Sequence, residues 1–205
     1  MRLRFRPRLR HRASFPDTCD LQEVVALPIS PPAPNPAALV LRLGDLPQGF
    51  SVSRADTGPV DVPPALAGKL RLWGRLGGYR VRFSRPVSVA TMQEGPFEIR
   101  SEATVYRSRR GAEAALTYTT RSLIPKPFVP LPMGFPLGRQ AHQYVVETSA
   151  YGVESLGYLV VWREGRVDAS VSLTGRLGAV SVGDLAPFAK KQDTRIRRAL
   201  LGRSR

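Results

Sequence analysis

Two histidines and one cysteine limit the metal and nucleophilic chemistry open to this chain. His11 and Cys19 lie in the first 36 residues, and His142 lies in an alternating stretch typical of a strand. Because a zinc-type site needs several histidine, cysteine or carboxylate ligands together, the sequence predicts no metal and no other cofactor. No Gly-x-Ser-x-Gly elbow accompanies His142, so we interpret it as a strand residue and not as a general base.

Carboxylate pairs and glycine-rich loops are the other patterns that could carry catalysis. Glu98 and Glu102 alternate with Arg100 along one strand pattern, which is typical of a solvated ladder of cross-strand charges. The glycine-rich residues 74–78 precede a strand pattern and not a helix, so they do not predict a phosphate cradle. We therefore interpret the chain as a non-enzymatic protein.

Positive charge is concentrated at the two ends of the chain. The net charge is +15, and all sixteen acidic residues lie between Asp17 and Asp193. A basic surface of this kind favours nucleic acids or other polyanions as partners, although cations near the end of a helix are also stabilising without any partner. The residues that would make polyanion contact are Arg2, Arg4, Arg6, Arg8, Arg10, Arg12, Lys190, Lys191, Arg195, Arg197 and Arg198.

Composition divides the chain into a leader and one domain. Residues 1–36 alternate arginine with other residues and then become proline-rich, a composition that predicts a disordered segment. Residues 37–205 are predicted to form a single domain with a basic C-terminal helix end. A single cysteine excludes an internal disulfide, and no stretch reaches the ~20 apolar residues that a membrane span requires.

The periodicity of residues 37–205 predicts an α+β fold. Strands are predicted at residues 79–83, 97–106, 141–148, 158–162 and 167–173, and helices at residues 109–123 and from about residue 184, whereas residues 66–76 are ambiguous. This order predicts a two-layer sandwich with a mainly antiparallel sheet and two helices on one face. Two strands and a helix occur twice, which leaves duplication of a ββα unit and coincidence as alternatives.

A proline-rich but apolar segment, residues 124–136, separates the two halves. One interpretation is a crossover packed over an open edge of the sheet, and the other is the rim of an apolar ligand groove or a strip for a protein partner. The residues that would form this surface are Ile124, Phe128, Leu131, Met133 and Phe135, with Trp73 and Trp162 as further contributors. For both tryptophans, simple core packing is the alternative.

Several local motifs resemble those of small uncharacterised bacterial extracytoplasmic domains, secreted or lipid-anchored and sensor-like. The resemblance rests on Leu-Gly-Asp-Leu-Pro-Gln-Gly-Phe at residues 43–50, Val-Tyr-Arg-Ser at residues 105–108, Gly-Ala-Glu-Ala-Ala at residues 111–115 and Tyr-Leu-Val-Val-Trp-Arg-Glu-Gly-Arg-Val at residues 158–167. It implies a location outside the membrane, but no activity and no functional residue. Arg139 stands where those domains have an acidic residue.

The start of the chain departs from this family pattern, because alternating arginines replace the apolar signal of an exported protein. The resemblance therefore implies an extracytoplasmic location, whereas the start taken literally implies a cytoplasmic one; a true start elsewhere would reconcile the two. We predict a non-enzymatic binding or sensor-like domain for an unknown protein or small apolar ligand. The alternative is a cytoplasmic polyanion-binding protein that acts through its basic termini.

Overall fold

Eight strands of this chain form one antiparallel sheet in the computed structural model, which describes residues 32–86, 88–124, 127–150 and 152–202. The strands are β1 (Ser51–Val52), β2 (Gly58–Pro59), β3 (Arg75–Ser84), β4 (Pro96–Tyr106), β5 (Val129–Leu131), β6 (Arg139–Ala150), β7 (Val153–Glu164) and β8 (Val167–Arg176). Their order is β1-β3-β4-β8-β7-β6-β5, and β2 also pairs with β3. The α+β class and the antiparallel sheet predicted from the sequence are confirmed.

Among the described residues, four α-helices accompany the sheet: α1 (Pro64–Leu72), α2 (Val89–Gln93), α3 (Arg109–Tyr118) and α4 (Ala186–Leu201). Short 3-10 turns occur at Pro36–Ala38, Leu43–Asp45, Arg54–Asp56 and Val182–Leu185, and a π-helical turn, Thr119–Leu123, continues α3. The described residues belong to a compact unit of residues 31–205, and the preceding unit of residues 1–30 lies outside them. The predicted boundary between residues 36 and 37 therefore stays a prediction.

The helices α3 and α4 contact opposite faces of the sheet, whereas the sequence predicted both on one face. Leu116 of α3 packs against Val161, while the next residue of β7, Trp162, donates a hydrogen bond from Nε1 to Asp193 of α4 at 3.1 Å. Successive side chains of a strand point to opposite faces. The apolar run in β7 is therefore buried on both sides because a helix covers each side.

The main core lies on the face covered by α4. Strand residues of β3, β4, β7 and β8 meet the buried side of α4, including Phe188 and Ile196, and the segment before β1. That segment is held by polar contacts, since Ser101 Oγ accepts a hydrogen bond from the Leu41 amide at 3.0 Å and donates one to Gln192 at 2.8 Å. This buried network fixes α4 against β4.

The repeated ββα order is present as β3-β4-α3 and β7-β8-α4, and β4 pairs with β8 between the two hairpins. A two-fold axis normal to the sheet would exchange the hairpins and keep both helices on one face. The two helices lie on opposite faces, so their placement does not follow that symmetry.

Candidate functional site

The proline-rich segment 124–136 lies along the β6 edge of the sheet, where its strand β5 pairs with β6. Ile124 and Phe128 pack against the small cluster under α3, whereas Met133 and Phe135 pack against the main core. Leu131, in β5, is half-buried. The apolar side chains of this segment are thus divided between the two faces, while its described prolines are exposed. A binding role for this surface stays a prediction.

The two tryptophans occupy different environments. Trp162 has no exposed surface and belongs to the main core. Trp73 is half-buried beside Tyr106 and Leu70, and its ring lies 5.5 Å from the ring of Tyr118. Trp73 therefore lies beside α1 and α3, on the opposite side of the sheet from Trp162.

The basic residues of α4 make many contacts within the chain. Arg195 donates hydrogen bonds to the Val40 carbonyl at 2.7 Å and to both carboxylate oxygens of Asp45. Lys191 donates to the Asp45 carbonyl, and Arg197 pairs with Glu164 and Asp193.

Lys190 lies over the ring of Phe135 at 5.9 Å, and Arg198 lines a shallow surface depression with Lys190, Lys191 and Arg195. The predicted arginines Arg2, Arg4, Arg6, Arg8, Arg10 and Arg12 lie outside the described residues.

A cleft of about 380 Å³ lies on the α3 face of the sheet, and we refer to it as the α1–α3 cleft. Its floor is formed by polar side chains of the central strands, namely Arg75, Arg80, Glu102, Thr104, Tyr106, Asp168 and Ser170. One wall comes from α1 and the preceding residues, with Val62, Leu66 and Leu70; the other comes from Leu116, Thr119 and Leu123. The cleft thus combines apolar walls with a charged floor.

Strand register brings the floor residues together. Glu102 lies opposite Arg80 on β3 and opposite Ser170 on β8, and Thr104 lies opposite Asp168. Directly opposed residues of antiparallel strands point to the same face, with Cβ atoms about 4.5–5.5 Å apart. The floor is therefore assembled from residues distant in sequence, and no single motif contains it.

Asp168 is the most perturbed carboxyl group of the cleft. Burial raises the pKa of Asp168 to about 8, against the opposing effects of the Arg163 charge and a hydrogen bond from Tyr106. Its Oδ1 atom is buried and has no hydrogen-bond partner among the described residues. Burial, and next the charge of Asp168, raise the pKa of the Tyr106 phenol. A buried polar atom without a partner is uncommon and points to a group that a ligand can satisfy.

Glu102 is the second carboxyl group on the floor. Burial raises the pKa of Glu102, and the charges of Arg80 and Arg75 act in the opposite direction. Arg75 also donates a hydrogen bond from Nη2 to the Val60 carbonyl at 2.8 Å, which ties the floor to the wall that precedes α1. The two arginines of the floor therefore already have partners: Arg80 and Arg75 act on the charge of Glu102, and Arg75 also binds the Val60 carbonyl of the wall.

The two walls of the cleft are anchored very differently. The wall of α3 buries Ala112, Ala115 and Leu116, and the Ser108 hydroxyl accepts a hydrogen bond from the Gly111 amide at its start. The helix α1, in contrast, has no buried residue. Few buried apolar contacts mean a low free energy of local opening, so α1 is the wall that moves more easily.

This cleft was not predicted from the sequence. Glu102 was assigned to a solvated charge ladder, and Asp168 alternates with apolar residues as any exposed strand residue would. The available signal was that one strand face carries Thr104 and Tyr106 and another carries Asp168 and Ser170. These four residues form one floor only because β4 pairs with β8, and the sequence did not specify that pairing.

Within the described part of the chain, no group of three or more histidine, cysteine or carboxylate side chains could hold a metal ion. No helix in that same part is long and apolar enough to cross a membrane. His142 is exposed on β6 and does not line the cleft.

Comparison with known proteins gives structural neighbours only. No family model and no curated protein matches the sequence. Among solved structures, the chain is similar to the extracellular domain of PknH from Mycobacterium tuberculosis, with a TM-score of 0.49 and 10% identity over 79% of this chain and 94% of that one. A structure from Bacteroides thetaiotaomicron gives 0.32 and 11% identity over 69% and 43%. Neither likeness transfers a residue or an activity.

Proposed function

We propose that this protein is a non-enzymatic, sensor-like binding domain and that the α1–α3 cleft is its ligand site. The observation that carries the proposal is the cleft itself, about 380 Å³ in volume, with two apolar walls over a polar floor. Small-molecule sites typically have volumes of roughly 300–1,000 Å³ and combine apolar walls with a few polar groups.

The composition of the cleft favours an amphiphilic ligand. Leu66 and Leu70 on one side and Leu116 and Leu123 on the other offer apolar surface to a short hydrocarbon chain. Burial of each methylene group contributes about 0.8 kcal/mol. The polar head of the same ligand would then meet the floor around Asp168, where the buried, unpartnered Oδ1 atom favours a hydrogen-bonding group.

Binding can be measured through the fluorescence of Trp73, which packs against Leu70 and Tyr106 beside the cleft. We expect 1-octanol, n-octylamine or sodium octanoate to shift the emission in a saturable manner. The shift should disappear in Trp73→Phe, because the fully buried Trp162 lies on the other face. The proposal fails if none of the three probes binds, as judged both by fluorescence and by calorimetry.

A matched pair of substitutions on α1 tests the location of the site. Leu66 lines the cleft, whereas Leu72 of the same helix is 87% exposed and is not among the residues that line it. Leu66→Arg should weaken probe binding at least tenfold, and Leu72→Arg should leave it unchanged. Equal effects of the two substitutions would place the bound probe elsewhere.

The sensor-like role and the extracytoplasmic location are supported by the motif resemblance at residues 43–50 and 158–167. A test is labelling of the protein in intact cells of its native host with a membrane-impermeant amine reagent. Labelling before cell lysis supports the extracytoplasmic location. Labelling only after lysis overturns it, and a cytosolic protein of the same cells provides the control.

A further inference from the structure

We propose that the α1–α3 cleft selects ligands with a primary ammonium group and that this group pairs with the carboxylate of Asp168. This inference rests on the proposed function and names the chemical class of its ligand. The ligand it describes is an amphiphilic amine whose hydrocarbon part lies between α1 and α3, with its nitrogen at the floor.

The first argument is the unsatisfied hydrogen-bonding capacity of Asp168. Its Oδ1 atom is buried and unpartnered within the described part of the chain, while Tyr106 provides a hydrogen bond to the group. A carboxylate accepts hydrogen bonds through two oxygens and donates none. An incoming N–H donor therefore satisfies an atom that the protein leaves unsatisfied, and a charged donor forms the stronger bond.

The second argument is the distribution of charge on the floor. Arg75 is engaged with the Val60 carbonyl, and Arg80 lies directly opposite Glu102. Arg163, the cation that acts on Asp168, donates hydrogen bonds to Gln140 and to the Gly165 carbonyl. Arg163 lies directly opposite Asp168 on β7 but is shared with these other acceptors, so an ammonium group at this position meets a carboxyl group whose opposing cation is divided among several partners.

The third argument concerns the proton. Burial raises the pKa of Asp168 to about 8, so the group holds a proton at neutral pH. Pairing with R–NH₃⁺ breaks the O–H bond of the acid: the carboxylate keeps the electron pair, the ammonium keeps its three protons, and one proton leaves to solvent. Amine affinity should therefore rise with pH from about 6 to 8.

Several charged or titratable groups face Asp168 or the floor around it and define its pH response. They are Tyr106 and Glu102 from β4, Arg75 and Arg80 from β3, Arg163 from β7, and Asp61 from the segment before α1. The α3 wall contributes Leu116, Thr119 and Leu123 and no titratable side chain to the lining of the cleft. The pKa of Asp168, about 8, lies within the proposed pH window, and burial also raises the pKa of Glu102.

The test compares four eight-carbon probes at pH 6, 7 and 8 by calorimetry: n-octylamine, octyltrimethylammonium, 1-octanol and octanoate. We expect n-octylamine to bind at least tenfold more tightly than 1-octanol at pH 8, with a smaller ratio at pH 6. Octyltrimethylammonium should bind less tightly than n-octylamine, because it has the charge but no N–H donor. These measurements use the unaltered protein and so do not depend on the folding of a variant.

Asp168→Asn provides the second arm of the test, with Glu147→Gln, an exposed residue of β6 that does not line the cleft, as the control. The first substitution should abolish the preference for the amine and its pH dependence while leaving 1-octanol binding unchanged, and the second should change neither. If 1-octanol or octanoate binds as tightly as the amine, the inference is overturned and the proposed function stands. If no probe binds, the proposed function fails.

Discussion

Replacement of Asp168 by asparagine tests the electrostatics of the cleft, because it removes a titratable proton while nearly preserving side-chain shape. Burial raises the pKa of Asp168 to about 8 in the folded chain, whereas an aspartate in an unfolded chain has a pKa of about 3.9. Between these values, the folded chain keeps a proton that the unfolded chain has released. Raising the pH through this window therefore lowers the free energy of unfolding, and the loss is complete above about pH 8.

The magnitude follows from the width of this window. The free energy of unfolding should fall by up to about 1.4 kcal/mol for each pH unit, which is at most about 3 kcal/mol between pH 5 and pH 7. Water in the open cleft reduces this effect, so we expect about 1–2 kcal/mol between pH 5 and pH 7. Asp168→Asn lacks this contribution and should become more stable relative to the unaltered protein as the pH rises.

Urea unfolding of both proteins at pH 5, 6, 7 and 8 provides the measurement. The difference between them isolates Asp168, because carboxyl groups on the other face, such as Asp193, titrate in both proteins and cancel. Glu147→Gln, an exposed substitution outside the cleft, should stay within about 0.5 kcal/mol of the unaltered protein. The reasoning is refuted if the profiles of the unaltered protein and Asp168→Asn stay parallel within about 0.5 kcal/mol, the usual range for an exposed substitution.

Glycine substitutions on the two walls should act in opposite directions. Gly68→Ala should raise the free energy of unfolding by about 0.5–1 kcal/mol, because no atom lies within 4 Å of the added Cβ in α1. Gly111→Ala should lower it by about 2 kcal/mol or more, since the same atom would overlap the Trp73 carbonyl; thermal unfolding of both variants checks the signs. Trp162→Phe removes the hydrogen bond to the buried Asp193 and should lower it by about 2–4 kcal/mol in urea unfolding.

Local patterns predicted the elements of the fold that depend on neighbouring residues. The alternation of Val81 and Phe83 marked a strand with one buried face, and both residues are buried. The predicted strands 158–162 and 167–173 are joined by a tight turn at Gly165 and Arg166, and Gly165 has φ of +58°, the positive φ that a two-residue hairpin turn needs at its first central residue. These features follow from side-chain direction and backbone sterics within a few residues.

Pairing between distant segments could not be predicted in the same way. Residues 66–76 were ambiguous because α1 has no buried residue, and an apolar stripe is the main signal of a helix in a sequence. The helices were placed on one face because sequence order does not state which side of the sheet a crossover covers. The cleft depends on both of these points, since α1 and α3 form its walls.

The basic residues of α4 suggested a polyanion surface in the sequence, but several of them make contacts within the fold. Arg195 holds the carbonyl of Val40 and the carboxylate of Asp45, and Arg197 pairs with Glu164 and Asp193. Composition counts such residues as free positive charge, whereas the fold uses them to fix α4 to the preceding segment and to β7. Net charge therefore overstated the cationic surface available to a polyanion on this helix.

The stability and ligand experiments on Asp168 give independent readouts of one group. Asparagine has nearly the same shape as aspartate, so it can supply the same packing. It does so without the cost in unfolding free energy that the buried carboxyl group carries at neutral pH. If Asp168→Asn gains stability and loses amine selectivity, the carboxyl group serves binding at the expense of stability, as functional sites commonly do. If it gains stability and binds every probe as before, Asp168 is a buried carboxyl group without a ligand, and the head group must be recognised by Glu102 or the arginines beside it.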